Sequence, residues 1–321
     1  MARRVVALAG GVGAARFLSG LVRVLPQEEL AIVVNTGDDR DFFGLRVCPD
    51  LDIVTYTLAG VVNRETGWGF DGDTTGCLDA LRRLRRDVWF RLGDRDLATH
   101  IQRTERMRAG ATLSEVTREI AAAFGLRVEL LPMSDRPAPT VVVRRDGARS
   151  DFEEYMVRDG APDDVAALDL SAAAAAPPAP GVLDALAAAE VVLVCPSNPL
   201  VSIGTILEVS GVRAALEARH DAVSVSPIIA GAPVKGPADR LLRAVGAEVS
   251  ATGVARLYRG FCRGMVIDQR DAALAREIEA LGLRVRVEET LMRTPEISAG
   301  GAAGARERAR GVTCGRRPRV R

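Results

Sequence analysis

Short, uninterrupted apolar runs alternate with amphipathic stretches along most of the chain. The strongest runs are residues 5–8, 30–34 and 191–195, which have the length and valine-rich composition of strands buried in a parallel sheet. Weaker strand-like runs follow at residues 127–131, 140–144, 222–225, 265–267 and 284–287. Strands that alternate with helices predict a Rossmann-like α/β fold of three layers, in which helices cover both faces of a mostly parallel sheet.

A mainly helical segment interrupts this alternation. Apolar residues recur at helical spacing over much of residues 79–124, and Ser114 is the expected N-cap of the last helix in this segment. Pro49 and the acids that follow it are typical of a helix start. The predicted organisation is an α/β core of residues 1–48 and 125–299 and a helical insertion of residues 49–124.

The charge of the chain is unevenly distributed. Residues 300–321 contain seven arginines, one acid and no apolar periodicity, so we expect them to form a disordered basic tail. The other 299 residues carry 36 basic and 41 acidic side chains, although the net charge of the whole chain is +1. A mildly acidic body is not typical of a protein that binds nucleic acid.

Cysteine usage and hydropathy exclude several further classes of protein. The five cysteines are scattered and form no C-x-x-C pair, so the sequence indicates neither a disulfide framework nor a zinc site. No apolar stretch approaches the roughly 20 residues that a membrane-spanning helix needs. We therefore expect a cytoplasmic protein without a membrane partner.

A glycine-rich turn follows the first predicted strand. Gly10, Gly11 and Gly13 allow the backbone to turn tightly, and the helix that follows directs its positive dipole end toward the turn, which favours binding of a phosphate. Arg16 stands where the dinucleotide fingerprint has its third glycine, and no Gly-Lys-Ser/Thr follows, so neither a dinucleotide nor a Walker motif is present. A phosphate-binding turn and a purely structural turn both remain open.

A second candidate anion site follows the predicted strand at residues 191–195. Ser197, Asn198 and Ser202 carry short hydrogen-bonding side chains near the start of a helix, and Gly204 follows them. These side chains fit a phosphate site, and ordinary helix capping is the alternative.

Five aspartates lie within fifteen residues next to the glycine turn. They are Asp38, Asp39, Asp41, Asp50 and Asp52. Clustered carboxylates repel one another unless a cation or hydrogen-bond donors offset their charge, which suggests Mg²⁺. Contact with a ribose, a solvated turn and simple helix capping are the alternatives.

Residues 89–96 form a compact aromatic and charged group. Trp89 and Phe90 are expected mainly in the core, whereas Arg91 and Arg95 are candidate anion-binding residues. His100 has no second ligand at metal-binding spacing, so we do not assign it to zinc.

Seven segments, taken in order, resemble the 2-phospho-L-lactate transferase (CofD/FbiA) family. They are GGVGAARFLSGL, VVNTGDD, CPDLDIVTYTLAG, LGDRDLATH, LLPMSD, PSNPLVSIG and SPIIAGAPVKGPA, and they span nearly residues 5–298. The resemblance implies a transferase of coenzyme F420 biosynthesis that requires Mg²⁺. Such an enzyme moves 2-phospho-L-lactate, or phosphoenolpyruvate, from a guanylylated donor to the terminal ribityl hydroxyl of the deazaflavin Fo and releases GMP.

The resemblance also implies roles for individual residues. It assigns Asp52 and Arg91 to the deazaflavin, with Asp52 orienting or deprotonating the hydroxyl. The donor would lie on Gly10, Gly11, Gly13, Arg16, Ser197, Asn198, Ser202 and Gly204. Asp38 and Asp50 would hold Mg²⁺, Arg16 or Arg95 would offset developing charge, and a homodimer is usual in the family. Relatives end in a further helix, from which the arginine-rich tail departs.

Two other functions remain as alternatives. A non-catalytic regulator of the gluconeogenesis-factor type shares the glycine turn and binds nucleotide sugars, but it lacks the PDLD and GDRD motifs. A nicotinamide-dependent dehydrogenase is supported only by the glycine turn and Asp38.

Overall fold

The computed structural model describes residues 4–292 and 295–313. The strands are β1 Val5–Ala9, β2 Leu30–Val34, β3 Arg40–Phe42, β4 Leu45–Val47, β5 Glu129–Pro132, β6 Val141–Arg144, β7 Arg149–Asp151, β8 Val165–Asp169, β9 Val191–Val194, β10 Ala222–Val225, β11 Ile228–Ile229, β12 Ala232–Pro233, β13 Cys262–Asp268 and β14 Arg284–Glu288. The helices are α1 Gly11–Val24, α2 Pro49–Leu58, α3 Gly76–Arg83, α4 Asp96–Arg108, α5 Leu113–Ala123, α6 Ser171–Ala175, α7 Val182–Ala188, α8 Ile203–Glu208, α9 Val212–Arg219, α10 Ala238–Ala244, α11 Ala251–Tyr258, α12 Ala275–Ala280 and α13 Pro295–Thr313.

A seven-stranded parallel sheet forms the centre of the molecule, in the order β14-β13-β10-β9-β1-β2-β5. The predicted Rossmann-like α/β fold is therefore confirmed. β1 lies between β2 and β9, so the chain leaves β1 toward one edge of the sheet and later returns to its other side. Ligands of open α/β sheets bind in the crevice at the carboxyl ends of such strands.

Side chains of the central strand alternate between two apolar cores. Val6 and Leu8 belong to the core that includes residues of α7, α8 and α9, whereas Val5 and Ala7 face the core that includes residues of α1, α2 and α13. Both faces of β1 are fully covered, which is why its sequence is an unbroken apolar run rather than an alternating one.

Helices α2, α3, α4 and α5 lie within residues 49–124, the segment expected to be a helical insertion. The cap of α5 differs from the prediction, because Thr112 and not Ser114 is the N-cap. Thr112 Oγ1 accepts a hydrogen bond of 3.2 Å from the Glu115 N–H, and Glu115 Oε2 accepts one of 2.8 Å from the Thr112 N–H. This reciprocal capping box satisfies two donors at the helix start.

A small antiparallel sheet, β7-β6-β8, lies beside the main sheet. A single π-helical turn, Glu154–Arg158, follows β7. Phe152 and Tyr155 are buried in an apolar cluster with Val201 and Leu241. This packing fixes the position of the segment that carries Glu153.

The expectation of a disordered tail is wrong for residues 300–313, which belong to α13. Ala302 and Ala305 are fully buried against the core that includes α1. A Cβ atom on Gly20 of α1 would lie 2.2 Å from the carbonyl carbon of Ser298, so the two helices approach closely only because Gly20 has no side chain. Packing through alanine and glycine leaves no periodic pattern of large apolar residues. Residues 314–321 lie outside the described part of the chain.

Across residues 4–292 and 295–313, we find no helix that is both long enough and apolar enough to span a membrane.

Candidate active site

A cavity of about 430 Å³ opens at the carboxyl ends of β1, β2 and β9, between the main sheet and the helices of residues 49–124. Eleven of the residues proposed from the sequence line it, namely Gly10, Gly11, Gly13, Arg16, Asp38, Asp50, Asp52, Arg91, Ser197, Asn198 and Ser202. Among the described residues, Gly204 and Arg95 do not line it.

The two predicted anion-binding turns are in direct contact. The Gly10 N–H donates a hydrogen bond of 3.0 Å to Ser197 Oγ, and a Cβ on Gly13 would lie 2.4 Å from the Pro196 carbonyl oxygen. A Cβ on Gly10 would lie 2.7 Å from that of Ser202. Glycine at positions 10 and 13 therefore permits the two turns to form one surface, at the N-terminus of α1.

The loop after β9 is shaped by its own side chains. Asn198 Oδ1 accepts hydrogen bonds from the Leu200 and Val201 N–H groups at 3.0 and 3.3 Å. Gly204 lies within α8, where an added Cβ would be 3.2 Å from the Pro199 carbonyl oxygen. The role of Gly204 in this structure is close packing rather than contact with the cavity.

A cluster of buried carboxyl groups lies beside the glycine turn. Asn35 Nδ2 donates hydrogen bonds to Asp50 Oδ2 at 2.9 Å and to Asp38 Oδ2 at 3.2 Å, which brings these two carboxyl groups together. Glu153, in the short segment between β7 and the π-helical turn, also lines the cavity. Asp38 Oδ1 and Glu153 Oε2 are buried and have no hydrogen-bond partner among the described residues.

Burial and mutual repulsion raise the pKa values of these three groups. The pKa of Asp38 lies well above its usual value because the group is desolvated and because Asp50 and Glu153 are near. Burial raises the pKa of Asp50 to about 6, opposed by hydrogen bonds from Asn35 and the Gly11 N–H. Burial, followed by the charge of Asp50, raises the pKa of Glu153 to about 8. The cluster therefore favours any cation that offsets its negative charge.

Asp38 and Asp50 fit a metal site in which the protein supplies only two ligands. No group of three or more His, Cys, Asp or Glu side chains within the described part of the chain is arranged to hold a metal ion. Mg²⁺ is usually held by only one or two carboxylates, with water and substrate phosphate oxygens as its other ligands. A pair of adjacent carboxyl groups, one with an unpartnered buried oxygen, meets that requirement.

Asp52 lies in a buried polar network between α2 and α4. Arg103 donates from Nη1 to Asp52 Oδ2 at 3.1 Å and from Nη2 to Asp52 Oδ1. His100 Nδ1 lies 3.6 Å from Asp52 Oδ2, and His100 Nε2 lies 3.3 Å from Asp96 Oδ1. The Tyr56 hydroxyl donates to Asp96 Oδ1 at 2.7 Å. Asp52, Tyr56, Asp96 and His100 all line the cavity.

Basic side chains surround the rest of the cavity. Arg91 is exposed, with its guanidinium carbon 5.8 Å from the centroid of the Trp68 ring. Lys235 Nζ donates to the Thr66 carbonyl oxygen, and partial burial together with the charge of Arg16 lowers the Lys235 pKa. Arg16, Arg91 and Lys235 thus place positive charge along the cavity.

Trp89 and Phe90 pack against an apolar cluster, as expected, and they also face the cavity. Phe90 stacks on Phe42 with ring centroids 4.2 Å apart, and Trp89 contacts Phe42 edge to face at 5.2 Å. Both residues also line the cavity, together with Phe152 and Met156. One part of the cavity is therefore apolar and aromatic, whereas the part near α1 is polar and charged.

The chain matches a family model described as 2-phospho-L-lactate transferase CofD over residues 5–299. It belongs to the CofD family. Its relatives include a phosphoenolpyruvate transferase of Streptomyces griseus, 46% identical over 315 residues that cover 96% of this chain and 99% of that protein. A 2-phospho-L-lactate transferase of Methanosarcina mazei is 39% identical over 293 residues, covering 91% and 96% of the two chains.

This membership identifies a phospho-acid transferase of coenzyme F420 biosynthesis, from a family of metal-dependent transferases. The regulator and dehydrogenase alternatives are set aside, because these relatives are named as transferases. Protein BH3568 of Bacillus halodurans has a similar structure, with a TM-score of 0.59 over 94% of this chain and 99% of that chain. At 15% identity, this likeness concerns the fold alone.

Sequence reasoning assigned no role in the site to several residues of the cavity and its surroundings. Asp96, His100 and Arg103 recur at i, i+4 and i+7 on α4, so they lie on one helix face. This spacing is the sequence signal that could have identified them as one cluster. Glu153 has no such signal, since it reaches the carboxyl cluster from a distant part of the chain, just after β7.

Proposed function

We propose that this CofD protein transfers a phospho-acid from a guanylylated donor to the terminal ribityl hydroxyl of Fo, giving GMP and coenzyme F420-0 or its dehydro form. One observation carries the proposal: Asp52 and Arg91, which match the deazaflavin contacts of the family, line the same cavity as the two predicted anion-binding turns. A single cavity of this kind suits two substrates that must react with each other.

We further propose phosphoenolpyruvate, rather than 2-phospho-L-lactate, as the transferred group. The support is that relatives named phosphoenolpyruvate transferase, from Streptomyces griseus and Streptomyces coelicolor, are 46% and 45% identical, whereas the 2-phospho-L-lactate transferase of Methanosarcina mazei is 39% identical. A direct comparison of the enolpyruvyl and lactyl donors at equal concentration tests this choice.

In the proposed reaction, the terminal ribityl oxygen attacks the phosphorus atom that bears the enolpyruvyl or lactyl group. A new P–O bond forms, the P–O bond to GMP breaks, and GMP leaves with the bonding electron pair. The hydroxyl proton is lost during the attack, and Asp52 is the carboxylate proposed to orient the hydroxyl and accept this proton. Positioning and charge neutralisation supply most of the catalysis in reactions of this type.

The donor would bind at the polar end of the cavity. Its diphosphate would face the N-terminus of α1 and the Ser197–Ser202 loop, with Arg16 nearby, and the acceptor ring would lie toward Trp89 and Phe90. Asp38 and Asp50 would hold a Mg²⁺ ion, which when bound neutralises negative charge on the donor diphosphate.

Incubation of the purified protein with Fo, the guanylylated donor and Mg²⁺ tests the proposal. We expect equimolar GMP and a deazaflavin product that is heavier by the transferred phospho-acid, both measured by mass spectrometry. Omission of Fo should abolish GMP release, which separates transfer from simple hydrolysis of the donor. Donor that stays intact in the complete mixture would contradict the proposal.

The homodimer and the cytoplasmic location remain predictions. Light scattering after size-exclusion chromatography would measure the mass of the assembly. A mass of one chain would contradict the homodimer.

A further inference from the structure

Arg103 is almost completely buried, with 2% of its surface exposed, and it is not among the described residues that line the cavity. Its guanidinium group nevertheless contacts both carboxylate oxygens of Asp52, which does line the cavity. Arg103 therefore contacts Asp52 from outside the cavity.

The contact has the two-pronged geometry that fixes a carboxylate most firmly. Parallel donation from Nη1 and Nη2 prevents rotation of the Asp52 carboxylate, which a single donor would not do. Arg103 is itself held by donation from Nη1 to the Arg46 carbonyl oxygen at 3.3 Å, and Nη1 lies 3.3 Å from His100 Nδ1. Each carboxylate oxygen has about two acceptor sites, so Asp52 retains acceptor capacity for a ligand.

We propose that Arg103 is a positioning residue for transfer, which aims the Asp52 carboxylate at the acceptor hydroxyl without touching either substrate. This inference rests on the proposed function of Asp52. It differs from a purely structural role, in which the buried ion pair would only join α2 to α4.

The test compares Arg103→Lys with a matched control on the same helix. Arg106, one turn further along α4, forms an exposed two-pronged pair with Glu119 at 2.9 and 2.7 Å, away from the cavity. Both lysine variants keep the positive charge but cannot form the two parallel hydrogen bonds of an arginine. We expect Arg103→Lys to lower kcat on the order of 10- to 100-fold, the scale of a misplaced reacting group, with donor affinity by calorimetry unchanged. Arg106→Lys should retain wild-type kinetics.

A double-mutant cycle separates positioning from folding. If Arg103 acts through Asp52, then Arg103→Lys should change kcat by less than about 3-fold when Asp52 is already Asn. A full additional loss in the double variant, or wild-type kcat in Arg103→Lys, would overturn the proposal. An inactive wild-type protein would instead contradict the proposed function.

A measurement on the unaltered protein keeps the proposal testable should Arg103→Lys fail to fold. In a crystal structure of the wild type with Fo, we expect an Asp52 oxygen within hydrogen-bond distance of the ribityl hydroxyl while both Arg103 contacts persist. Release of Asp52 by Arg103, or an Asp52 carboxylate directed away from the hydroxyl, would refute it.

Discussion

Asp50 Oδ1 accepts a hydrogen bond of 2.7 Å from the backbone N–H of Gly11, although 39 residues separate them in the chain. The contact joins the start of α2 to the start of α1 and places a carboxylate where the sequence predicts a phosphate. A diphosphate that approached the same turn would meet negative charge already in place. The metal ion proposed for Asp38 and Asp50 would remove that repulsion.

The first prediction concerns pH and metal. The raised pKa values of Asp50, about 6, and Glu153, about 8, mean that the folded protein holds protons that the unfolded chain has lost. Stability of the metal-free protein attributable to these groups should therefore fall as the pH rises from about 4 to about 8. Glu153→Gln should raise the melting temperature in EDTA at about pH 8 and leave it nearly unchanged at about pH 4. Equal shifts at both pH values would contradict the assignment.

Mg²⁺ should offset the loss of stability that the metal-free protein shows as the pH rises. Because it binds ionised carboxylates, it should raise the melting temperature more at about pH 8 than at about pH 5. Asp38→Asn should reduce this increase, and EDTA should abolish GMP release until Mg²⁺ is restored. Full activity in the chelator would rule out the proposed metal.

The second prediction concerns Asp52. Asp52→Asn preserves the size of the side chain but removes the charge that would accept the hydroxyl proton, so turnover should fall by about 100-fold or more. Donor affinity by calorimetry should barely change. Asp79→Asn, at an exposed aspartate on α3, serves as the control. Normal turnover by Asp52→Asn would show that Asp52 does not act on the acceptor.

The third prediction concerns Arg91. Arg91→Ala should mainly raise the Michaelis constant for Fo, because the exposed guanidinium faces the cavity beside Trp68. Arg91→Lys should recover much of this loss, since the charge survives. Arg83→Ala, at an exposed position on α3, is the control. Steady-state kinetics with Fo and donor varied separately would show whether the defect instead lies on the donor side.

The fourth prediction concerns the contact between α1 and α13. Gly20→Ala would place a methyl group against the Ser298 backbone and should destabilise the protein by about 1–3 kcal/mol, as overpacking does. Gly300→Ala, on the same C-terminal helix but with open space around its Cβ, should be neutral or stabilising by up to about 1 kcal/mol. Chemical denaturation of both variants measures the difference, and equal stabilities would contradict the close packing.

The sequence by itself determined the central strands and the two motif-bearing turns. Residues 5–8, 30–34 and 191–195 are continuous apolar runs because both faces of their strands are buried, and that property is visible locally. The family motifs also singled out Asp52 and Arg91, which the structure places along one cavity.

Only the tertiary structure decided which distant groups meet. Arg103 reaches Asp52 across 51 residues, and Glu153, just after β7, lies near Asp50 at the start of α2, because the path of the chain and not local spacing brings them together. The C-terminal helix was missed for a related reason. Its small residues pack closely against α1, which requires a glycine at position 20, and no local pattern of apolar residues records such a contact between two helices.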